Sequence, residues 1–175
     1  MDHKTYLART AELGGYWERF RDERWPYIYC AALAAESLKP HTALEIGTNG
    51  VSILSFSDTF DLGLSEPDNP GRKLYGDATQ IPWPIEDAAY DLVVALQVLE
   101  HLTPHQEAVW REIRRVAKAA IITLPFQWHC PADPMHHGIT DETIRKWTLG
   151  DKPYMEELVR SPSGLDRILL AYRFG

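Results

Sequence analysis

The chain has 175 residues and a mass of 20.0 kDa, room for one ordinary domain with its own core, and its 45% hydrophobic content excludes a disordered chain. A formal net charge of -7, from 25 acidic and 18 basic residues with no run of Lys and Arg, argues against a nucleic-acid partner, because phosphate binding needs clustered positive surface. The first residues, Met1 to Trp17, show neither a basic start followed by an apolar stretch nor a spanning segment, so the expectation is a cytoplasmic protein with no membrane partner, and Cys30 and Cys130, without CxxC spacing, are expected to be free thiols.

Residues 4–39 read as two helical pieces. The second, from about Trp25 to Leu38, places Ile28, Ala31, Ala32, Ala35 and Leu38 at helical spacing, with Pro26 in its first turn and Pro40 stopping it. Trp17 and Phe20 make the first piece aromatic, so residues 1–39 are expected as a packing segment or lid, distinct from an α/β domain over 40–175. Ala43 to Ile46 reads as a buried strand, and Gly47 and Gly50 then allow a sharp turn, after which Val51 to Phe56 reads as a short helix.

The run FDLGLSE, Phe60 to Glu66, alternates and ends on an acid, which predicts a second strand closing at Glu66. Lys73 to Ala78 is a short third strand, and Pro67 to Gly71 leaves too little chain for a crossover helix, so a loop is expected between the two. YDLVVALQ, Tyr90 to Gln97, has the continuous apolar character of a strand covered on both faces. A helix from about Pro104 to Val116 follows, with Thr103 as cap and Val109, Ile113 and Val116 facing inward. Ala119 to Leu124 is the next strand, Thr140 caps a helix to Trp147, and strands near 155–160 and 167–174 end the chain. This alternation implies a layered α/β sheet and excludes an eight-fold barrel, which cannot fit the length.

In an open parallel sheet, ligands sit outside the carboxyl ends of the strands, and Glu45, Glu66, Asp77 and Gln97 all fall near such ends. A carboxylate at Glu66 can accept from both hydroxyls of a ribose. Asp77 can accept from an adenine amino group, with the backbone at Ala78 reading a ring nitrogen. Glu45 can orient an ammonium group through water but would repel a pyrophosphate, which points away from a dinucleotide. The pair Gly47 and Gly50 is a weak signal alone, since the dinucleotide fingerprint wants a glycine where Thr48-Asn49 stand.

Three segments, ALEIGTNG (43–50), GDATQIPWPIEDAAYDLVVALQVLEHL (76–102) and PADPMHHGITDETI (131–144), resemble those of the class I S-adenosylmethionine-dependent methyltransferases, especially the small-molecule branch similar to the ubiquinone-biosynthesis enzymes. The resemblance implies a three-layer Rossmann-like sheet of about seven strands, mostly parallel with an antiparallel C-terminal strand and shortened between strands two and three. It implies S-adenosylmethionine as cofactor, with Glu45, Gly47 and Gly50 at its methionine part, Glu66 at the ribose, Asp77 and Ala78 at the adenine, and Leu96 and Gln97 on the methionine side. In this family the acid of the Glu-His pair, here Glu100, commonly supports the turn. Two departures stand out: Asn49 and Val51 occupy positions where the family has glycine, although Asn adopts the left-handed conformation readily.

The stretch FQWHCPADPMHH, Phe126 to His137, falls where the resemblance places the arch over the acceptor. The expected function is methyl transfer to an O or N atom of a small-molecule acceptor. If the acceptor is a hydroxyl, His101, His129, His136 or His137 is the candidate base. His136 and His137 are adjacent and not four apart on a helix, and no metal is assigned. Two alternatives stay open: a degenerate methyltransferase-like interaction protein and, more remotely, a nicotinamide-dependent oxidoreductase. The oligomeric state is left open, a homodimer included.

Overall fold

The computed structural model describes residues 1–63 and 69–175. Its elements in chain order are α1 (His3–Leu13), α2 (Gly15–Leu38), β1 (Ala43–Ile46), β2 (Asp58–Asp61), β3 (Lys73–Tyr75), β4 (Leu92–Leu96), a 3-10 turn (Leu99–His101), α3 (Gln106–Val116), β5 (Ala119–Pro125), α4 (Asp141–Trp147), β6 (Met155–Val159) and β7 (Arg167–Arg173). Among these residues the sheet has seven strands in the order β3-β2-β1-β4-β5-β7-β6. All neighbouring pairs from β3 through to β5 are parallel, while β7 runs antiparallel to both β5 and β6. The mixed seven-stranded sheet with an antiparallel C-terminal strand is therefore as expected.

Both faces are covered because the central strands are apolar on both sides. In β4, Leu92 and Val94 face one cluster and Val93 and Ala95 the other, and every residue of β5 is buried. On one face α3 sends Val109, Trp110, Ile113 and Val116 against Leu44, Ile122 and Leu170. Trp110 is fully buried but not orphaned: its indole N–H donates to Asp151 at 2.8 Å and its ring meets Tyr172 edge-on. On the other face α2 packs through Tyr27, Ile28, Ala31, Ala32 and Ala35, and its small side chains let the helix settle close to β5 and β7. No helix among the described residues is long and apolar enough to cross a membrane, and Cys30 and Cys130 are free thiols.

Several boundaries differ from the sequence expectation. The break between the first two helices falls at Gly14 and Gly15, both at positive φ, and α2 then runs through Pro26 without ending. Residues 51–57 form turns in place of the expected short helix. Strand β2 occupies Asp58–Asp61 instead of 60–66, since Gly63 at positive φ interrupts the alternation; Glu66 lies outside the described residues. The described part of the β2–β3 connection carries no helix. Helix α3 starts at Gln106, and Thr103 accepts a hydrogen bond from the Gln106 side chain instead of capping the backbone.

The two short connections are tightly stacked at Gly71, where an added Cβ would stand 1.7 Å from the Ser57 carbonyl oxygen. That atom is backbone and cannot step aside as a side chain would. Gly71→Ala is expected to destabilise the fold by about 3 kcal/mol or more, beyond the ordinary cost of overpacking, read as a fall in Tm against Gly175→Ala, where an added Cβ meets nothing within 4 Å.

Candidate functional site

The strand order reverses between β1 and β4, and the crevice beyond their carboxyl ends is where an open sheet receives ligands. Gly47 leaves β1 at φ 64, Asn49 follows at φ 48 and Gly50 at φ 85, so the asparagine takes the left-handed conformation the turn needs. A Cβ on Gly47 would meet the Val98 side chain at 2.8 Å, so the first glycine is required by close approach as well as by φ. On the β4 side Gln97, itself at φ 57, is fixed by its backbone N–H donating to the Thr123 carbonyl at 2.9 Å.

Glu45 does something other than the expected contact. It is 3% exposed, and its two carboxylate oxygens accept from the hydroxyls of Ser52 and Ser57 and from the backbone N–H groups of Ile53 (2.8 Å) and Leu54 (3.0 Å). The carboxylate is thus occupied by the loop that replaces the crossover helix, and burial is the main influence, pushing its pKa above the ordinary value. Asn69 adds bonds to Ser52 and Ser57, Arg9 donates to the Ser52 carbonyl, and the Trp17 indole donates to the Asn49 carbonyl at 2.8 Å. Both N-terminal helices therefore hold the loop in place.

Two cavities open from the crevice. The smaller, about 190 Å³, is lined by Gly47, Asp61, Asp77, Ala78, Gln97 and His101 among others. Asp77 is turned toward Thr79, whose backbone N–H and hydroxyl both donate to one carboxylate oxygen and hold its pKa below the usual carboxylate value. The larger cavity, about 800 Å³, shares Gly47, Asp61, Gln97 and His101 and continues over Tyr16, Phe20, Tyr27, Trp128, Arg24 and Arg167. Leu96 lies instead in a narrow crevice behind the Gly47 turn, with Trp17, Arg24 and Thr48.

The four candidate histidines divide into two pairs. His101 and His136 both line the large cavity, with ring centroids 5.1 Å apart. His129 and His137 pair with each other at 5.4 Å, outside that lining, and the His137 ring accepts from the Cys130 backbone N–H. Burial, then the neighbouring His136, lowers the His101 pKa below its ordinary value. Beside them Glu100 is 1% exposed and neither of its oxygens has a partner among the described residues.

Sequence reasoning missed Asp61, Arg24 and Arg167. Gly63 was the available stop signal for β2 and would have made Asp61 the terminal acid. The two arginines belong to distant elements, α2 and β7, and only the packing of α2 against β7 brings them to one cavity. Arg24 donates to the hydroxyls of Tyr16 and Tyr27, while the Nε of Arg167 is buried without a partner among the described residues.

Residues 59–120, from within β2 to the start of β5, match the family described as methyltransferase domain. The chain also shares its fold with several solved structures. The N-methyltransferase NodS from Bradyrhizobium japonicum WM9 is 14% identical, with a TM-score of 0.61 over 89% of this chain and 97% of that one. This is the class I methyltransferase fold with a methyltransferase-domain signature. A SAM dependent methyltransferase from Aquifex aeolicus is 11% identical, with a TM-score of 0.56 over 94% and 97% of the two chains. The cyclase SpnF is 14% identical, with a TM-score of 0.60 over 85% and 81%. At such identities the likeness is one of fold. No curated protein matches the chain. What the chain shares with these methyltransferases is the domain signature over 59–120 and the fold.

Two measurements check the polar assignments. Glu45→Ala strands several donors in the interior and is expected to cost at least about 3 kcal/mol in a denaturant titration. For Glu100, burial pushes the pKa up to about 8 from 4.5. The folded protein thus keeps a proton there that the unfolded chain releases, so its contribution to stability is full below 4.5 and is lost as pH rises through about 8. With a chelator present, so that only the proton is at issue, Glu100→Gln is expected to leave Tm nearly unchanged at about pH 5 and to raise it relative to the parent at about pH 9.

Proposed function

We propose that the protein transfers a methyl group from S-adenosylmethionine to an oxygen or nitrogen atom of a small metabolite. The observation that carries the reading is the junction of the two cavities, whose shared wall is Gly47, Asp61, Leu62, Gln97 and His101. The smaller space, with Asp61, Asp77 and Ala78 in its lining, would hold the adenosine part of the cofactor, and the residues of the shared wall would hold the part that carries the methyl group.

The residues present fit the cofactor. The Gly47 turn is a cradle that a side chain would fill, and the Thr48 hydroxyl behind it is buried without a partner among the described residues. Asp61, at the end of β2, takes the ribose role that the resemblance assigns to the acid closing that strand, and Asp77 with Ala78 takes the adenine. Arg24, in the crevice with Thr48, is the cation for the methionine carboxylate. S-adenosylmethionine, when bound, supplies an electrophilic methyl group; this chain's part is to align the acceptor with it and to exclude competing water. Tyr16, Phe20, Tyr27 and Trp128 give the acceptor an aromatic wall, and Arg167 offers an unengaged N–H for a polar or anionic group. His101 and His136 are the imidazoles placed to receive a proton from a hydroxyl acceptor.

Asn49 and Val51 in the glycine turn, with no helix in the described part of the connection between β2 and β3, favour one competing reading, a methyltransferase-like interaction protein without catalysis. Titration calorimetry with S-adenosylhomocysteine and with NADH separates the readings. The expected outcome is binding of the first alone, weakened about tenfold or more by Asp61→Ala and by Asp77→Ala. Loss on Glu66→Ala but not on Asp61→Ala would return the ribose contact to the later acid. Binding of neither ligand supports the interaction protein, and binding of NADH alone supports the oxidoreductase.

A further inference from the structure

Glu100 and His101 sit on the 3-10 turn after β4, and His136 reaches them from the segment after β5. One donor atom from each of the three lies within 4.8 Å of the other two. Donors about 2.1 Å from one ion stand at most about 4.2 Å apart, so small side-chain rotations close the set. Asp133 holds the Nδ1 of His136 at 2.7 Å, which leaves Nε2 as the ring's free donor. A carboxylate behind a ligating imidazole in this way fixes its tautomer and raises its basicity. The two buried, unpartnered oxygens of Glu100 complete the picture, since a carboxylate that served packing alone would cost desolvation and return nothing.

We propose that Glu100, His101 and His136 form a site for a divalent first-row transition metal, with Asp133 as the residue that positions His136. Two imidazoles and one carboxylate suit zinc, cobalt, iron or manganese better than calcium or magnesium, which need several charged oxygens. The positive charge of Arg24 and Arg167 on the same cavity strengthens this choice, because affinity must come from nitrogen ligation more than from net charge. Three protein ligands leave coordination positions open, and His101 and His136 line the large cavity, so an open position faces the acceptor.

What the ion does there rests on the methyltransferase reading. With the ion bound, His101 and His136 act as its ligands in place of serving as bases, and an acceptor hydroxyl bound to the ion loses its proton to water more readily. The oxygen lone pair then forms the new bond to the methyl carbon, while the methyl–sulfur bond breaks and its electron pair stays on sulfur. The ion changes neither charge nor oxidation state.

The test is titration of chelator-treated protein with Co²⁺, followed by its visible absorption, alongside calorimetry with S-adenosylhomocysteine. One equivalent is expected to bind, with affinity falling about 100-fold in Glu100→Gln, His101→Ala and His136→Ala, about 10-fold in Asp133→Asn, and not at all in His41→Ala. His136→Ala and Asp133→Asn alter partly exposed positions, so they keep the test sound if the buried change impairs folding. Absence of stoichiometric binding, or binding that survives His101→Ala and His136→Ala, overturns the site. Binding that is lost instead in His129→Ala or His137→Ala overturns this ligand set. Co²⁺ bound without S-adenosylhomocysteine keeps the metal and overturns the methyltransferase reading; the reverse result overturns only the metal.

Discussion

A single buried carboxylate sets the shape of the region around which the site is built. Glu45 gathers two hydroxyls and two backbone N–H groups from Ser52 to Ser57, a stretch that has no helix of its own to satisfy its polar groups. A crossover helix, the usual connection between parallel strands, would supply those bonds internally. Here one side chain supplies them. The turn at Gly47, the start of β2 and the approach of Gly71 to Ser57 all follow from where that carboxylate pins the loop.

The same comparison of satisfied and unsatisfied groups separates scaffold from site. Glu45 and Glu112 are both buried and both fully engaged, the latter with Arg115 and the Trp83 backbone, and both belong to the frame. Glu100, the Thr48 hydroxyl and the Nε of Arg167 are buried without partners among the described residues, and all three lie along or beside the crevice at the ends of β1 and β4. A protein interior tolerates such groups poorly. Their concentration in one place is a more specific signal than any of the residues singly.

Much of the architecture was legible in the sequence because β1, β4 and β5 are short apolar runs closed by glycine, polar residues or proline. The methyltransferase-like stretch over 76–102 also placed Asp77, Ala78 and Gln97 at the crevice, where they are found. The end of β2 was misread, since FDLGLSE keeps alternating past Asp61 and the one stop signal, Gly63, was outweighed by that alternation. Glu45 was misread for a different reason: a strand-end acid looks the same in sequence whether it faces a ligand or a serine two turns away. The pairing of His101 with His136, and of His129 with His137, depends on how the loop after β5 folds back, which no local pattern encodes.

Helix α2 touches everything at once. Trp17 bonds to the Gly47–Gly50 turn, Arg24 faces both the crevice behind that turn and the large cavity, and Tyr16, Phe20 and Tyr27 form the cavity wall. The helix thus lines both the narrow crevice behind the Gly47 turn and the large cavity, whereas the large and small cavities meet at Gly47, Asp61, Leu62, Gln97 and His101. Ligands held on either side of that common wall would be thermodynamically linked: whatever factor the first contributed to the affinity of the second, the second would return to the first.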